Sequence, residues 1–175
     1  MENASIALTV CAVLKDSGVK LDDRLTKEAV SKTHWAGRME LVKDNLYVDG
    51  AHNPQGIRSF VDSVDSLYES EKLSDATLLF SVVSDKNYDQ MIKILCECKH
   101  FKCVYVTMTG GVRRLSSEII KQAFEVHLPG ISIEIFDSVD GAVHEWDNGL
   151  MFATGSLYLV GDVVRALERK ENNHD

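Results

Sequence analysis

The chain has 175 residues, of which 45% are hydrophobic and 26% charged, and its 19 basic and 27 acidic residues give a formal net charge of −8. This length suits one domain with a full hydrophobic core. The acidic balance argues against nucleic acid or an anionic membrane surface as the main partner, so we predict neither.

The first apolar segment predicts a helix over residues 3–15 rather than a membrane anchor. The run from Ala4 to Leu14 is too short to cross a bilayer, and Glu2 stands where a signal peptide would carry a basic residue. Gly18 is expected to end this helix. The cysteines lack the spacing of a zinc site, which favours reduced core thiols in a cytoplasmic protein: Cys11, Cys96, Cys98 and Cys103.

A short helix and a β-hairpin follow. Thr26 is the predicted cap of a helix over residues 27–32. Two short strands, Met39–Val42 and Leu46–Val48, flank the polar loop of residues 43–45, which is typical of a hairpin.

The second hairpin strand leads into the segment Asp49–Pro54, which reads as a sharp strand-to-helix elbow. Asn53 is a natural N-cap, and Pro54 suits the first helical position, where an N–H is not needed. The following apolar spacing predicts one buried helical stripe: Ile57, Phe60, Val61, Val64, Leu67 and Tyr68. Because free N–H groups at such a helix start attract anions, the elbow is the first candidate site.

The rest of the chain alternates strand and helix, which is typical of an α/β fold with a mostly parallel sheet. The predicted strands are Thr77–Val83, Lys102–Met108, Ile131–Ile135 and Leu150–Ala153. The predicted helices are Asn87–Cys98, Ser117–Val126 with Ser116 as its cap, a short helix that Ser138 caps and that runs through Trp146, and Leu157–Arg169. The last has Leu157, Val160, Val163, Val164 and Leu167 inward. We expect a three-layer Rossmann-like domain with the N-terminal hairpin and one antiparallel or edge strand, for which the alternating 131–135 segment is the candidate.

The junctions that follow parallel strands share one edge of the sheet. That edge is predicted to collect the polar residues Asp49, His52, Asp85, Lys86, Arg113, Arg114 and Ser156.

Each candidate side chain has a functional and a structural interpretation. Asp49 could accept hydrogen bonds from a ribose diol or only cap its loop. His52 could stack on a base, contact phosphate or orient a substrate, or be an exposed turn residue. Arg38 could clamp phosphate or be a solvated charge. The loop from Gly110 to Arg114 could hold an anion or be merely flexible, and Ser156 could be only a helix cap.

No self-sufficient catalytic motif is found. The sequence contains no G-x-x-x-x-G-K-[ST], G-x-G-x-x-G, H-E-x-x-H or G-x-S-x-G pattern. A nucleoside triphosphate would therefore need its phosphates and magnesium held by another domain.

Several segments together resemble the carboxyl-terminal domain of folylpolyglutamate synthase, including its bifunctional dihydrofolate synthase form. The resemblance covers nearly the whole chain and rests on His34–Glu40, Asp49–Pro54 and Thr154–Val163, with Asp85–Asn87 similar to that family's D-K-D turn. Mur ligases are similar in fold but usually carry a lysine-bearing motif where this chain has His52.

The resemblance implies an ATP-dependent acid–amino-acid ligase that adds glutamate to a folate or dihydropteroate through an acyl phosphate. It implies that Arg38 contacts ATP phosphate, Asp49 the ribose, His52 the nucleotide or glutamate, and Ser156 the glutamate. His52 is the candidate catalytic residue, and Asp85, Lys86 and Arg114 are candidate loop contacts.

The same resemblance implies a domain organisation and its cofactors. Residues 1–20 would be the last helix of a preceding ATPase domain or a linker, and residues 21–175 a Mur ligase-type C-terminal domain. ATP and magnesium would be the cofactors, with no metal ligand in this chain, because the metal site would belong to the absent P-loop domain. The chain alone is therefore expected to be inactive.

Three alternatives remain open from the sequence. The chain could be a Mur-type amino-acid ligase domain, a stand-alone module that binds a nucleotide or amino acid, or an inert interaction protein that retains the fold. An uncovered apolar stripe on the first helix would indicate a contact with a missing domain. A stripe packed on the chain's own sheet would favour the stand-alone module.

Overall fold

The computed structural model describes residues 2–33, 35–110 and 114–172, so His34 and Arg113 of the predictions lie outside it. Two compact units are distinguished, Met1–Ala36 and Gly37–Asp175. No helix among the described residues is long and apolar enough to cross a membrane. The elements in chain order are α1 Glu2–Asp16, α2 Asp23–Ser31, β1 Glu40–Lys43, β2 Leu46–Val48, α3 Pro54–Ser70, β3 Ala76–Phe80, α4 Tyr88–Leu95, β4 Phe101–Thr107, α5 Ser117–His127, β5 Ser132–Phe136, α6 Val139–Glu145, β6 Met151–Thr154 and α7 Leu157–Asn172.

The first unit consists of α1 and α2. The turn at Gly18, with φ of 93°, ends α1 in the conformation that glycine adopts without strain. Lys15 forms an ion pair with Asp23 at 2.8 Å across this turn. The predicted apolar stripe of α1 is exposed within the chain: Ile6, Val10, Val13 and Leu14.

The second unit is built on a six-stranded sheet with the order β1-β2-β6-β3-β4-β5. β1 pairs antiparallel with β2, and the remaining neighbours pair in parallel, which confirms the predicted hairpin and mostly parallel sheet. The predicted edge strand is β5, which lies at the far edge of the sheet and runs parallel to β4.

Alternate strand residues divide the hydrophobic core between the two faces of this sheet. Leu78, Phe80 and Phe152 face the core shared with α3, α4 and α5, whereas Leu79 and Ala153 face the core shared with α6 and α7. The domain is therefore the predicted three-layer α/β arrangement, with helices covering both faces of the central strands.

The predicted caps Asn53, Ser116 and Ser138 are confirmed, and Asn87, predicted as the first residue of its helix, is a cap as well. The side chains of Asn53, Asn87, Ser116 and Ser138 each accept a hydrogen bond from the backbone N–H three residues on. Pro54 occupies the first turn of α3, as predicted. The buried residues of α3 are Ile57, Phe60, Val61 and Val64, and Leu67 and Tyr68 are partly buried.

Other predicted bounds were wrong. α2 begins at Asp23, earlier than residue 27, because Asp22 rather than Thr26 accepts the first cap hydrogen bond, from Leu25 N–H at 2.9 Å. β3 ends at Phe80 because the chain then leaves the sheet, and Val83 pairs with Arg114 in an isolated bridge. α4 ends at Leu95, before the predicted Cys98.

The last helix and the cysteines also differ from the predictions. Leu157 and Val164 of α7 are exposed, and Leu159 and Ala166 are buried in their place, because the inward stripe starts two residues into the helix. Of the four free cysteines only Cys98 is buried. Burial raises the pKa of Cys96 and Cys98 to about 11, which keeps both thiols protonated near neutral pH.

Phe152 lies at the centre of an aromatic cluster, so its truncation tests the core. Its ring centroid lies 5.2 Å from that of Tyr47, 6.2 Å from Phe60 and 6.0 Å from Phe101. We expect Phe152→Ala to lower the free energy of unfolding by about 3–5 kcal/mol, because a cavity forms where packing is lost on three sides.

Val126→Ala is the control for this core variant. Val126 is 73% exposed on α5, so its truncation should change stability by no more than about 0.5 kcal/mol. Urea denaturation measures the free energy of unfolding of both variants. Equal losses of stability would contradict the position of Phe152 at the centre of the core.

Candidate functional site

The topology places three loops together at the carboxyl edge of the sheet. β6, the last strand in sequence, lies between β2 and β3. The helix after β6 packs on one face of the sheet, whereas the helices after β2 and β3 pack on the other. Such a reversal of helix side is the topological switch point at which open α/β sheets bind ligands.

The first of these loops is the elbow after β2, and Asp49 holds it in place. Asp49 is only 6% exposed. One carboxylate oxygen accepts a hydrogen bond from Ala51 N–H at 2.8 Å, and the other accepts one from Met39 N–H at 2.9 Å. The Arg38 guanidinium lies 3.8 Å from the Asp49 carboxylate. Asp49 therefore joins the residues before β1 to the turn after β2.

Burial raises the pKa of the Asp49 carboxyl above its ordinary value of 3.8. The two backbone N–H groups and the Arg38 charge act in the opposite direction, because they stabilise the carboxylate, but burial is the larger effect.

His52 lies at the tip of the elbow with one ring nitrogen engaged. Its Nδ1 lies 2.9 Å from the Gly50 carbonyl oxygen. A carbonyl oxygen can only accept, so this contact assigns the proton of the neutral ring to Nδ1. Nε2 is then the nitrogen that can accept a hydrogen bond from a ligand.

The second loop is the turn between β6 and α7. Gly155 N–H donates to the Ala51 carbonyl at 3.1 Å, which ties this turn to the elbow. Gly155 has φ of 112°, and a Cβ there would overlap the Ser81 carbonyl oxygen and the Phe80 ring. Ser156 is 2% exposed, and its Oγ accepts hydrogen bonds from Tyr158 N–H at 3.0 Å and Leu159 N–H at 3.4 Å. Ser156 thus caps α7.

The third loop, which follows β3, completes a pocket of about 340 Å³. Its lining combines an imidazole, a hydroxyl and one charge of each sign with an apolar wall: His52, Asp85, Lys86 and Ser156, with Val83, Leu157 and Tyr158. Pockets in this size range bind small molecules, and a few converging polar groups set the orientation of the ligand.

The structure brings four predicted residues together in this pocket, and the other candidates lie outside its lining. Arg38 and Asp49 form a pair of their own beside the elbow. Arg114 is exposed, and its backbone forms an isolated bridge with the lining residue Val83. Arg113 lies outside the described residues.

Three lining residues were not predicted from the sequence. The sequence predicts Leu157 in the core, but it and Tyr158 are each 56% exposed on the first turn of α7. It predicts Val83 inside a strand, whereas β3 ends at Phe80. The sequence did contain a signal for an exposed apolar wall: Leu157 and Tyr158 directly follow the capping Ser156, and the first turn of a helix lies at the edge of the sheet.

The described residues contain no group of three His, Cys, Asp or Glu side chains that could hold a metal ion.

A Rossmann-like sheet with a mixed-charge pocket at its switch point defines a class of ligand-binding α/β domains. Within that class, the profile of the family described as Mur ligase, glutamate ligase domain matches residues 37–160. The chain belongs to this family.

Curated relatives include the dihydrofolate synthase/folylpolyglutamate synthase of Bacillus subtilis (strain 168), which is 27% identical over 95% of this chain and 39% of its own length. The folylpolyglutamate synthase of Lacticaseibacillus casei is 25% identical over 94% of this chain and 37% of its own length. The chain thus spans about two fifths of the curated relatives that it matches.

Solved structures have the same fold. Thermotoga maritima folylpolyglutamate synthase superposes with a TM-score of 0.75 at 25% identity, covering 97% of this chain and 38% of that chain. E. coli FolC in complex with ADP superposes with a TM-score of 0.77 at 19% identity, covering 95% of this chain and 39% of that chain, a likeness of fold.

Replacement of Gly155 by alanine tests the close approach between β6 and β3. We expect Gly155→Ala to cost about 3 kcal/mol or more, since it adds atomic overlap to an unfavourable φ. Gly130→Ala is the matched control: φ there is 88°, but nothing lies within 4 Å of the added Cβ, so about 1 kcal/mol is expected. Thermal denaturation compares the stability of the two variants. Equal losses of stability would contradict the predicted overlap between the added Cβ and the Ser81 carbonyl oxygen.

The raised pKa of Asp49 predicts a pH dependence of stability. Between pH 3.8 and the higher folded pKa, the folded chain keeps a proton that the unfolded chain has released. The stability from this proton is complete below pH 3.8 and is lost as pH rises through the folded pKa. A ¹³C NMR titration of the Asp49 carboxyl should give a midpoint above 3.8, and a lower midpoint would contradict the prediction.

Proposed function

We propose that this chain is the glutamate-ligating domain of an ATP-dependent ligase that adds glutamate to a folate or dihydropteroate. The observation that carries the proposal is the pocket at the switch point, in a chain whose family is described as a glutamate ligase domain. The relatives named as folylpolyglutamate and dihydrofolate synthases support the substrate class.

The pocket is proposed as the glutamate site. Lys86 supplies a positive charge for a carboxylate of the amino acid, and Asp85 supplies a negative charge for its ammonium group. The Ser156 hydroxyl, which accepts backbone hydrogen bonds, keeps its own proton to donate to the ligand. A bifunctional folylpolyglutamate synthase/dihydrofolate synthase of the same fold has been solved with Mn, AMPPNP and L-glutamate bound.

His52 is proposed as the residue that prepares the glutamate nitrogen. With Nδ1–H donated to Gly50, Nε2 can take a proton from the ammonium group. The free amine then attacks the carbonyl carbon of the folate acyl phosphate and the C–N bond forms. The C–O bond to phosphate breaks with its electrons on the phosphate, which also takes the second proton of the amine. His52 touches the reacting atoms in this scheme.

Arg38 and Asp49 are proposed to hold the nucleotide beside this pocket. The Arg38 side chain is 51% exposed and can reach a phosphate oxygen. Asp49 uses one acceptor position on each oxygen for backbone N–H groups, and each oxygen keeps another for a ribose hydroxyl. Arg114 is a further candidate contact to an anion.

A separate P-loop domain is part of the proposal. The nucleotide phosphates need magnesium and basic groups that neutralise their charge during transfer. The described residues hold no metal cluster, so this domain would supply the ligands.

A second candidate is a stand-alone module that binds a nucleotide or amino acid. One observation favours it: every lining residue of the pocket comes from the unit Gly37–Asp175. Calorimetric titration with ATP and with glutamate separates the two proposals, because micromolar affinity for either by the chain alone supports the module.

Reconstitution tests the proposed ligase. We expect no turnover from the chain alone, and phosphate release that needs ATP, glutamate and a folate when the P-loop domain of a folylpolyglutamate synthase is added. The physical reason is that the two halves of the phosphate site lie on different domains. Turnover by the chain alone, or none from the mixture, would contradict the proposal.

Two serine caps provide a matched pair for the glutamate site. Ser156→Ala and Ser138→Ala each remove an N-cap hydroxyl and should each cost about 1 kcal/mol in unfolding free energy. In the mixture with the P-loop domain, Ser156→Ala but not Ser138→Ala should raise the KM for glutamate, by about tenfold for one lost hydrogen bond, because of the two serines only Ser156 lines the pocket. Equal KM values for both variants would remove Ser156 from the proposed site.

A further inference from the structure

The loop that carries Arg38 has an unusual backbone. Gly37 has φ of 70° and Met39 has φ of 40°, so residues in the left-handed region stand on both sides of Arg38. A methionine rarely adopts this conformation, because its Cβ crowds the backbone. Such a conformation persists only where surrounding contacts over-determine it.

Hydrogen bonds from three directions impose this conformation. Gly37 N–H donates to the Glu40 carboxylate at 2.6 Å, and Met39 N–H donates to Asp49 at 2.9 Å. The Gly37 carbonyl accepts from Gly50 N–H at 2.7 Å. Both residues that flank Arg38 are therefore tied to carboxylates, and the loop is tied to the elbow.

Glu40 is the member of this network that no role in the ligase scheme explains. It begins β1, pairs with Val48, and lies at the edge of the sheet, where an exposed charge would usually serve only to prevent further strand pairing. Here the carboxylate turns back along the chain and forms a short, charge-assisted hydrogen bond to the backbone.

We propose that Glu40 is a positioning residue for nucleotide binding: through Gly37 N–H it holds the loop in the one backbone conformation that presents the Arg38 guanidinium beside Asp49. This inference rests on the proposed role of Arg38 as a phosphate ligand. A loop that is already ordered loses less conformational entropy when Arg38 binds an anion, and the difference appears as affinity.

The order of the Arg38 side chain tests the inference without any ligand. In the ¹⁵N-labelled chain, the Arg38 Nε–H signal, assigned from its absence in Arg38→Lys, should have a high heteronuclear NOE. Glu40→Ala should lower that NOE, and Glu40→Gln, which keeps an acceptor oxygen, should restore part of it. Glu134→Ala, which removes a glutamate from the opposite edge strand, should leave the NOE unchanged.

Titration of wild type, Glu40→Ala, Glu40→Gln and Glu134→Ala with ADP tests whether Glu40 affects nucleotide binding. Wild type and Glu134→Ala should bind with equal millimolar affinity, and Glu40→Ala should bind about tenfold more weakly, since one charged hydrogen bond no longer preorganises the loop. Glu40→Gln should lie between them. Thermal melts accompany the titration, so that a general loss of folding is recognised.

The outcomes separate the inference from the proposed function. Equal ADP affinity of wild type and Glu40→Ala would overturn the role of Glu40 and leave the ligase proposal standing. If ADP leaves the Arg38 Nε–H signal of the wild type unchanged, Arg38 is not a nucleotide ligand. If Glu40→Ala leaves the NOE of that signal unchanged, Glu40 does not position Arg38.

Discussion

One buried carboxylate organises the functional end of the second unit. Asp49 receives the N–H of Met39 from the segment before β1 and the N–H of Ala51 from the turn after β2. If Asp49 were removed, two buried or partly buried backbone N–H groups would lose their acceptor. An unsatisfied buried donor costs more free energy than the loss of an exposed contact. The position of Arg38 and the shape of the elbow both depend on this side chain.

The elbow in turn constrains its neighbour in the sheet. The Ala51 carbonyl accepts the N–H of Gly155, and Gly155 passes so close to Ser81 that no side chain fits. The turns after β2 and β6 and the chain after β3 are thus locked together by backbone contacts. The pocket lies where these three segments meet, and His52 and Ser156 lie on turns whose backbones are hydrogen-bonded to each other.

The chemistry of this edge suits the proposed function. The proposed ligase holds a small zwitterion next to a phosphorylated partner, and the pocket places an acid, a cation and an imidazole within one small volume. The Arg38–Asp49 pair lies just outside it. In our proposal, amino acid and nucleotide therefore occupy adjacent parts of one cleft, and a second domain closes it.

The local features of this protein follow from its amino-acid sequence alone. Asn53, Pro54, Ser116 and Ser138 start their helices where capping chemistry predicts, because a cap involves only residues within one turn. The alternation of strands and helices likewise predicted the layers. The non-local features depend on the tertiary structure. Because β6 lies between β2 and β3, Ser156 and His52 line the same pocket, and Leu157 lines it as well instead of the core. The tertiary structure also decided the role of Glu40, since a hydrogen bond that stabilises a left-handed backbone leaves no periodic signal in the sequence.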